Sequence, residues 1–300
     1  MLNVPLAGWL ALFGRIVGIG FERPLVKALG RDRDSFAATT VYFGIGELLL
    51  VPLIVRELVT TPGIIADVRL WILPALLSGV IYTAAFHAYV WGMAVGEVSY
   101  LTPLYSSMFV FLYALDVAFG HARLAIIPVA GILAVALGII FLNVKPGARI
   151  LDVLNPANVI RSPGAVGMLV YSFGLAVGRM VDSSAAGVAP PVMYAFVNNS
   201  LCVLFGIAYL ASRRKAGLIL KLARERTAIA LYGSFAGMYA YVLMLVALDY
   251  FNPSAIEPIT QLSVFIAILL GGLWFREPIR TRWLPAVLVV IGAALVVIGR

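Results

Sequence analysis

Nine ionisable side chains lie inside long apolar stretches of this sequence: Arg15, Glu22, Arg23, Glu47, His87, Asp116, Arg179, Asp182 and Glu257. A charge at the centre of a membrane-spanning helix costs at least about 2.5–3.5 kcal/mol on insertion scales, so such residues face a partner, water or a cargo. Arg15 could anchor an anionic group on a substrate. Glu47, at a comparable depth in the next apolar stretch, could exchange a proton or cation beside it. The alternative is a static Arg15–Glu47 ion pair that ties two helices together. Gly14 and Gly18 lie beside Arg15 and would let a neighbouring backbone come close. His87 has an ordinary pKa near 6.5 and suits proton coupling; its alternative is a neutral ring bonded to a helix carbonyl or a tyrosine. Arg179 and Asp182 read as a local ion pair, with Gly174 and Gly178 marking a close helix contact.

A polar stripe adds to these. Thr102, Tyr105, Ser106, Phe109, Tyr113 and Asp116 follow the spacing of one helix face. An offset of 155 places its first three polar members on Glu257, Thr260 and Gln261. A shared cavity wall explains this pairing; hydrogen-bonded glue between helices is the alternative. Asn198 and Asn199 lie midway along another apolar stretch. Tyr82, Phe86 and Tyr89 form one aromatic stripe and Tyr232 and Tyr239 another, readable as cavity, as packing or as an interfacial belt. The expected substrate and coupling cavity comprises Arg15, Glu47, Tyr82, His87, Thr102, Tyr105, Asn198, Tyr239, Glu257 and Gln261.

The elements that must position these residues are membrane helices. The 300-residue chain is 62% hydrophobic and 12% charged, against roughly 45–50% and about 25% in soluble domains. Ten segments reach the length of a spanning helix, at about 7–28, 36–55, 70–93, 99–119, 124–143, 163–183, 190–211, 228–249, 254–275 and 282–299. They do not alternate as barrel strands do. A polar stretch with Pro146, Gly147, Asn155 and Pro156 separates five segments from five. Offsets of 154 to 156 align Gly138 with Gly292, Thr102-Pro103 with Glu257-Pro258, and Gly20–Arg23 with Ala176–Arg179. Two sequential copies of an odd number of spans must sit in opposite orientations. The expected fold is therefore an all-α membrane protein of ten transmembrane helices, as two inverted five-helix repeats. The expected units are 1–145, a linker at 146–161, and 162–300.

Asn252-Pro253-Ser254-Ala255-Ile256-Glu257-Pro258 opens the ninth segment, and Leu270-Gly271-Gly272-Leu273-Trp274-Phe275-Arg276-Glu277-Pro278 closes it. With the aliphatic last segment around Gly292, this resembles the C-terminal half of an EamA-type transporter of the drug/metabolite transporter superfamily. The resemblance covers the chain as a 5+5 layout, and its motifs are confined to about 250–299. His121-Ala122 stands where Glu277 would repeat, so the first half lacks the acidic turn residue. The resemblance implies a ten-helix carrier of small metabolites, with both termini in the cytoplasm.

The loop charges imply the opposite orientation. Loops after odd-numbered segments hold 15 Lys and Arg, and the remaining loops and the C-terminus hold 4; the positive-inside rule then places the odd loops in the cytoplasm. No ATP-binding or hydrolase motif occurs, two histidines cannot build a three-histidine zinc site, and Cys202 is the sole cysteine. The expectation is a non-enzymatic secondary carrier in the cell (inner) membrane, moving a small polar or amphipathic metabolite outward or in exchange, with proton coupling open. No cofactor, metal or nucleic acid is expected; the partners are a small-molecule substrate and the lipid bilayer, and a homodimer is left open. A lipid flippase and a non-transporting scaffold or sensor are the alternatives.

Overall fold

The structure, a computed structural model, describes residues 6–60, 68–119, 123–142, 162–185, 188–248, 250–251, 256 and 259–299. The first half contains α1 (Leu6–Gly30), α2 (Ser35–Thr60), α3 (Val68–Val95), α4 (Val98–Leu104), α5 (Ser107–Ala118) and α6 (Ile126–Leu142). The second contains α7 (Pro163–Ser183), α8 (Pro191–Ser212), α9 (Gly217–Glu225), α10 (Thr227–Leu248), α11 (Ser263–Phe275) and α12 (Ile279–Ile298).

Helices overlie all ten apolar segments, and seven stretches are long and apolar enough to cross a bilayer. α1 carries Arg15, Glu22, Arg23 and Lys27 and so falls outside that class, while α6 and α11 are shorter. The outer surface is apolar: Leu73, Leu133, Leu204 and Leu284 are exposed, whereas Thr39, Ser78, Ser172 and Ser234 are fully buried. That distribution suits lipid outside and polar contacts inside. One helix was not expected. α9 lies in the polar stretch 212–226, too short and too charged to span. Leu222 seats it against α2, and Arg224 lies on the opposite face in sequence phase.

Close pairs of helices build the bundle. α1 packs on α10, α7 on α3, α6 on α12 and α2 on α8. Glycines set these crossings. A Cβ at Gly18 would lie 3.0 Å from the Ala236 carbonyl and 3.0 Å from Ala240. A Cβ at Gly174 would meet Ala85 at 2.7 Å and the Ile81 carbonyl at 3.9 Å. Offsets of 156 and 155 carry the first set of residues onto the second. In the same way, Gly138 meets the Pro285 carbonyl and Gly292 the Gly131 carbonyl, pairs related by an offset of 154.

Two breaks face each other in the middle of the bundle. Pro103 lacks an amide hydrogen, and around it the chain tightens to i→i+3 bonds, Ser106 N to Pro103 O and Phe109 N to Ser106 O. The second half does the same: Val264 N bonds Gln261 O, and Phe265 N bonds Leu262 O. The breaks touch where Ser106 Oγ donates to Gln261 Oε1 at 2.8 Å, residues 155 apart.

Charges tie the end of the bundle that carries the odd-numbered loops. Arg276 takes a left-handed backbone (φ 58°) at the end of α11, turning Glu277 back over Gly271, where a Cβ would approach Glu277 Oε2 at 2.7 Å. Glu277 Oε1 then accepts the Lys27 ammonium at 2.6 Å and the Val98 amide at 2.9 Å, and Oε2 accepts the Ser99 amide at 2.7 Å. The carboxylate thus caps α4, whose own N-cap residue, Glu97, makes no side-chain cap bond. Burial would raise its carboxyl pKa, but Lys27 and the Ser99 amide outweigh burial and hold it below the ordinary value. Arg282 reaches Glu97 at 2.8 Å, and Arg226 donates to the Ala28 and Leu29 carbonyls at the end of α1.

Candidate functional site

A cavity of about 230 Å³ lies between α1, α2, α3, α7, α8 and α10, against the two breaks. At about 30 Å³ per water it holds roughly eight waters or a small metabolite. Nine of its 25 lining residues are aromatic, and several of them are in ring contact. Tyr89 stacks on Tyr171 at 4.5 Å between centroids, with Phe86 and Tyr105 at 5.6 and 5.9 Å from Tyr171.

Two carboxylates stand in it, each held by two tyrosines. Glu22 Oε1 accepts the hydroxyls of Tyr42 (3.0 Å) and Tyr89 (3.3 Å). Asp182 accepts the hydroxyls of Tyr194 (2.7 Å) and Tyr82. Glu22 lies in the second half of α1 and Asp182 in the last turn of α7. Arg15 donates from Nε to Thr260 Oγ1 at 3.1 Å and from Nη1 to the Ala240 carbonyl at 3.2 Å. Arg23, the residue after Glu22, places its guanidinium 5.0 Å from the Tyr105 ring centroid.

Of the expected site residues, Arg15, Tyr82, Tyr105, Asn198 and Gln261 line this cavity. Asn198 accepts from Ser78 Oγ at 3.3 Å. The others do not. Thr102 is buried within α4 behind the break. His87 is buried beside Phe36 and Phe205, its Nδ1 2.7 Å from the Thr83 carbonyl. That is the bond to a helix carbonyl weighed as its alternative. Glu47 bonds Ser200 at 3.2 Å and also lies outside the cavity. Tyr239 is 53% exposed and stacks on Phe235; α10 turns that face outward because Gly237, Ala240 and Tyr241 occupy the inward one. Glu257 and Pro258 lie outside the described residues, as do His121 and the whole 146–161 linker.

The Arg15–Glu47 pair does not form, since the hydrogen bonds of the two run to different helices. The reason is packing: α1 lies mainly on α10 and α11 and barely touches α2, so the first two spans are neighbours in sequence more than in space. Arg179 and Asp182 both line the cavity, with Asp182 taken up by the tyrosines as well.

The sequence reading named Glu22, Arg23, Arg179 and Asp182 as buried charges but left them out of the cavity. The offset of 156 that aligns Arg23 with Arg179 was the signal that could have placed both there. Tyr42, Tyr171, Tyr194 and Tyr241 carried no comparable signal, being spread over four different helices. Among the described residues no group of three or more His, Cys, Asp or Glu side chains is placed to hold a metal ion.

Fold and site together define a multi-pass helical membrane protein with a buried, polar and aromatic cavity between two similar halves. The sequence matches the EamA-like transporter family twice, over residues 6–144 and 162–298. The chain belongs to that family of transporters, within the drug/metabolite transporter superfamily. No curated protein sequence matches it. A solved structure described as "Crystal structure of protein" is similar at 18% identity over 96% of this chain and 95% of its own, with a TM-score of 0.48; at that score the likeness carries no weight.

Proposed function

We propose that this protein is a secondary carrier that moves a small polar or amphipathic metabolite, outward or in exchange, by alternating access. In this reading the chain crosses the cell membrane ten times, as two inverted five-helix units, 1–145 and 162–300, joined by a linker at 146–161. The observation that carries it is the position of the cavity. It lies between two helix pairs, α1–α10 and α3–α7, whose contacts repeat at offsets of 155 and 156, and the two helix breaks meet beside it at Ser106 and Gln261. A site at the junction of two such units is where rocking of one against the other exposes it to each side in turn.

The charge ties gathered around Lys27 and Glu277 would close one end. The loop Lys and Arg bias assigns that end to the cytoplasm. Proton coupling, in this reading, runs through Glu47, whose Oε1 is buried without a hydrogen-bond partner among the described residues.

Counterflow in liposomes tests the proposal. Vesicles holding the folded protein and loaded with a metabolite extract should accumulate labelled members of that extract beyond equilibrium. Vesicles that take up none of them, in exchange or under a proton gradient, would remove the carrier reading.

A further inference from the structure

Arg23 is 5% exposed and lines the cavity. Its Nη1 is buried with no hydrogen-bond partner among the described residues. Its neighbour Glu22 does not satisfy it, because that carboxylate turns to Tyr42 and Tyr89. The contact that holds the guanidinium is the face of Tyr105, at 5.0 Å, a cation–π arrangement that leaves the edge of the fork open. A buried cation with a donor unmade is a costly arrangement in the interior of a membrane protein, and a ligand anion would complete it.

The other charges narrow the class of ligand. Both cavity carboxylates already accept two tyrosine hydroxyls each, whereas Arg23, among the described lining residues, alone carries a buried polar atom with no hydrogen-bond partner. The open polar seat is cationic. Beside it runs the flat wall of Tyr105, Tyr171, Tyr89 and Phe86, which suits a planar apolar body. About 230 Å³ limits that body to one or two rings.

We infer that Arg23 is the substrate's anion seat, and that the cargo class is a small organic carboxylate with a flat apolar ring, bound by the guanidinium fork with the ring against Tyr105 and Tyr171. The inference rests on the carrier reading for its use in transport, but binding at Arg23 stands or falls separately. An anionic lipid headgroup presents a similar charge, and the test separates the two sources.

The experiment uses the full chain in phosphatidylcholine nanodiscs, with labelled phenylacetate as the probe and 2-phenylethylamine, 2-phenylethanol and phosphatidylglycerol as competitors. Wild type should bind phenylacetate, and the amine and the alcohol should compete at least tenfold less well than unlabelled phenylacetate. Arg23→Gln should weaken binding at least tenfold, and Arg23→Lys should weaken it less. Tyr105→Leu, which keeps the charge and removes the ring beneath it, should weaken it several-fold and serves where Arg23→Gln fails to fold. Equal competition by the amine or the alcohol, or binding by Arg23→Gln within twofold of wild type, would overturn the assignment. Arg23-dependent binding of phosphatidylglycerol without phenylacetate binding would overturn it in favour of a lipid headgroup. Counterflow of 2-phenylethylamine by a protein that does not bind phenylacetate would sink the anion seat and leave the carrier reading standing. Phenylacetate that binds through Arg23 but is never exchanged would do the reverse.

Discussion

Replacing Glu277 by Ala should loosen the end of the bundle that carries the odd loops. The carboxylate accepts three bonds there, from the Lys27 ammonium and the Val98 and Ser99 amides. The Lys27 and Glu277 side chains are only 10% and 4% exposed, so solvent screens the pair little. Removing one partner of a buried pair costs about 3–5 kcal/mol, because the other charge is left behind. Hydrogen bonds to a charged group contribute about 1.5–3 kcal/mol each, but three that share one carboxylate do not add. The expected loss for Glu277→Ala is therefore about 3–5 kcal/mol, measured by reversible unfolding in mixed micelles at pH 7. Glu277→Gln should lose less, since it keeps an acceptor for the α4 amides. Lys27→Met with Glu277→Gln should recover part of the loss, with no lysine left unpaired. The pH dependence has a definite sign. The folded carboxyl titrates below its unfolded value of about 4.3. Its contribution is thus complete above that value and is lost as pH falls through the depressed folded one. The gap between wild type and Glu277→Ala should be constant from pH 7 to 5 and narrow below about pH 4. A loss under about 1 kcal/mol at pH 7, or a gap that widens in acid, would refute the reasoning.

Arg15→Ala and Glu47→Ala should be additive in stability to within about 0.3–0.5 kcal/mol, because their hydrogen bonds run to different helices; a double-mutant cycle measures the coupling. Gly131→Val should destabilise by about 1–3 kcal/mol or more, since its Cβ would sit 2.6 Å from the Gly292 carbonyl; the same unfolding assay reads it. Tyr239→Ala should leave counterflow within twofold of wild type, while Tyr82→Phe, which removes a hydroxyl from Asp182, should reduce it several-fold in protein that stays folded but loses about 1.5–3 kcal/mol of stability.

The spans were legible because apolar runs of that length have few other uses, and the offset near 155 survived because it rests on glycines and prolines with backbone roles. Gly18 and Gly174 meet corresponding partners, and sequence comparison alone puts such residues in register. The partners themselves were not legible. Which face of α1 looks inward depends on α10 and α11, more than 200 residues away, and an apolar sequence says little about which helix a small-residue face will meet. That is why Glu47 was paired with Arg15, and why Tyr239 was placed in a cavity it turns away from. Arg23 was named among the charges inside the spans but not placed in the cavity, because only the tyrosines on α2 and α3 reveal that the glutamate beside it is turned to other partners.

The hydrogen bond from Ser106 to Gln261 joins positions that correspond under the repeat. Helix contacts such as Gly18 on Ala236 have a counterpart, Gly174 on Ile81, and exchanging the postures of the two units would swap one for the other. A bond between equivalent points has no separate counterpart, because it maps onto itself. If the protein turns inside out by trading the shapes of its halves, this contact can stay intact throughout, as the axle about which the remaining contacts change hands.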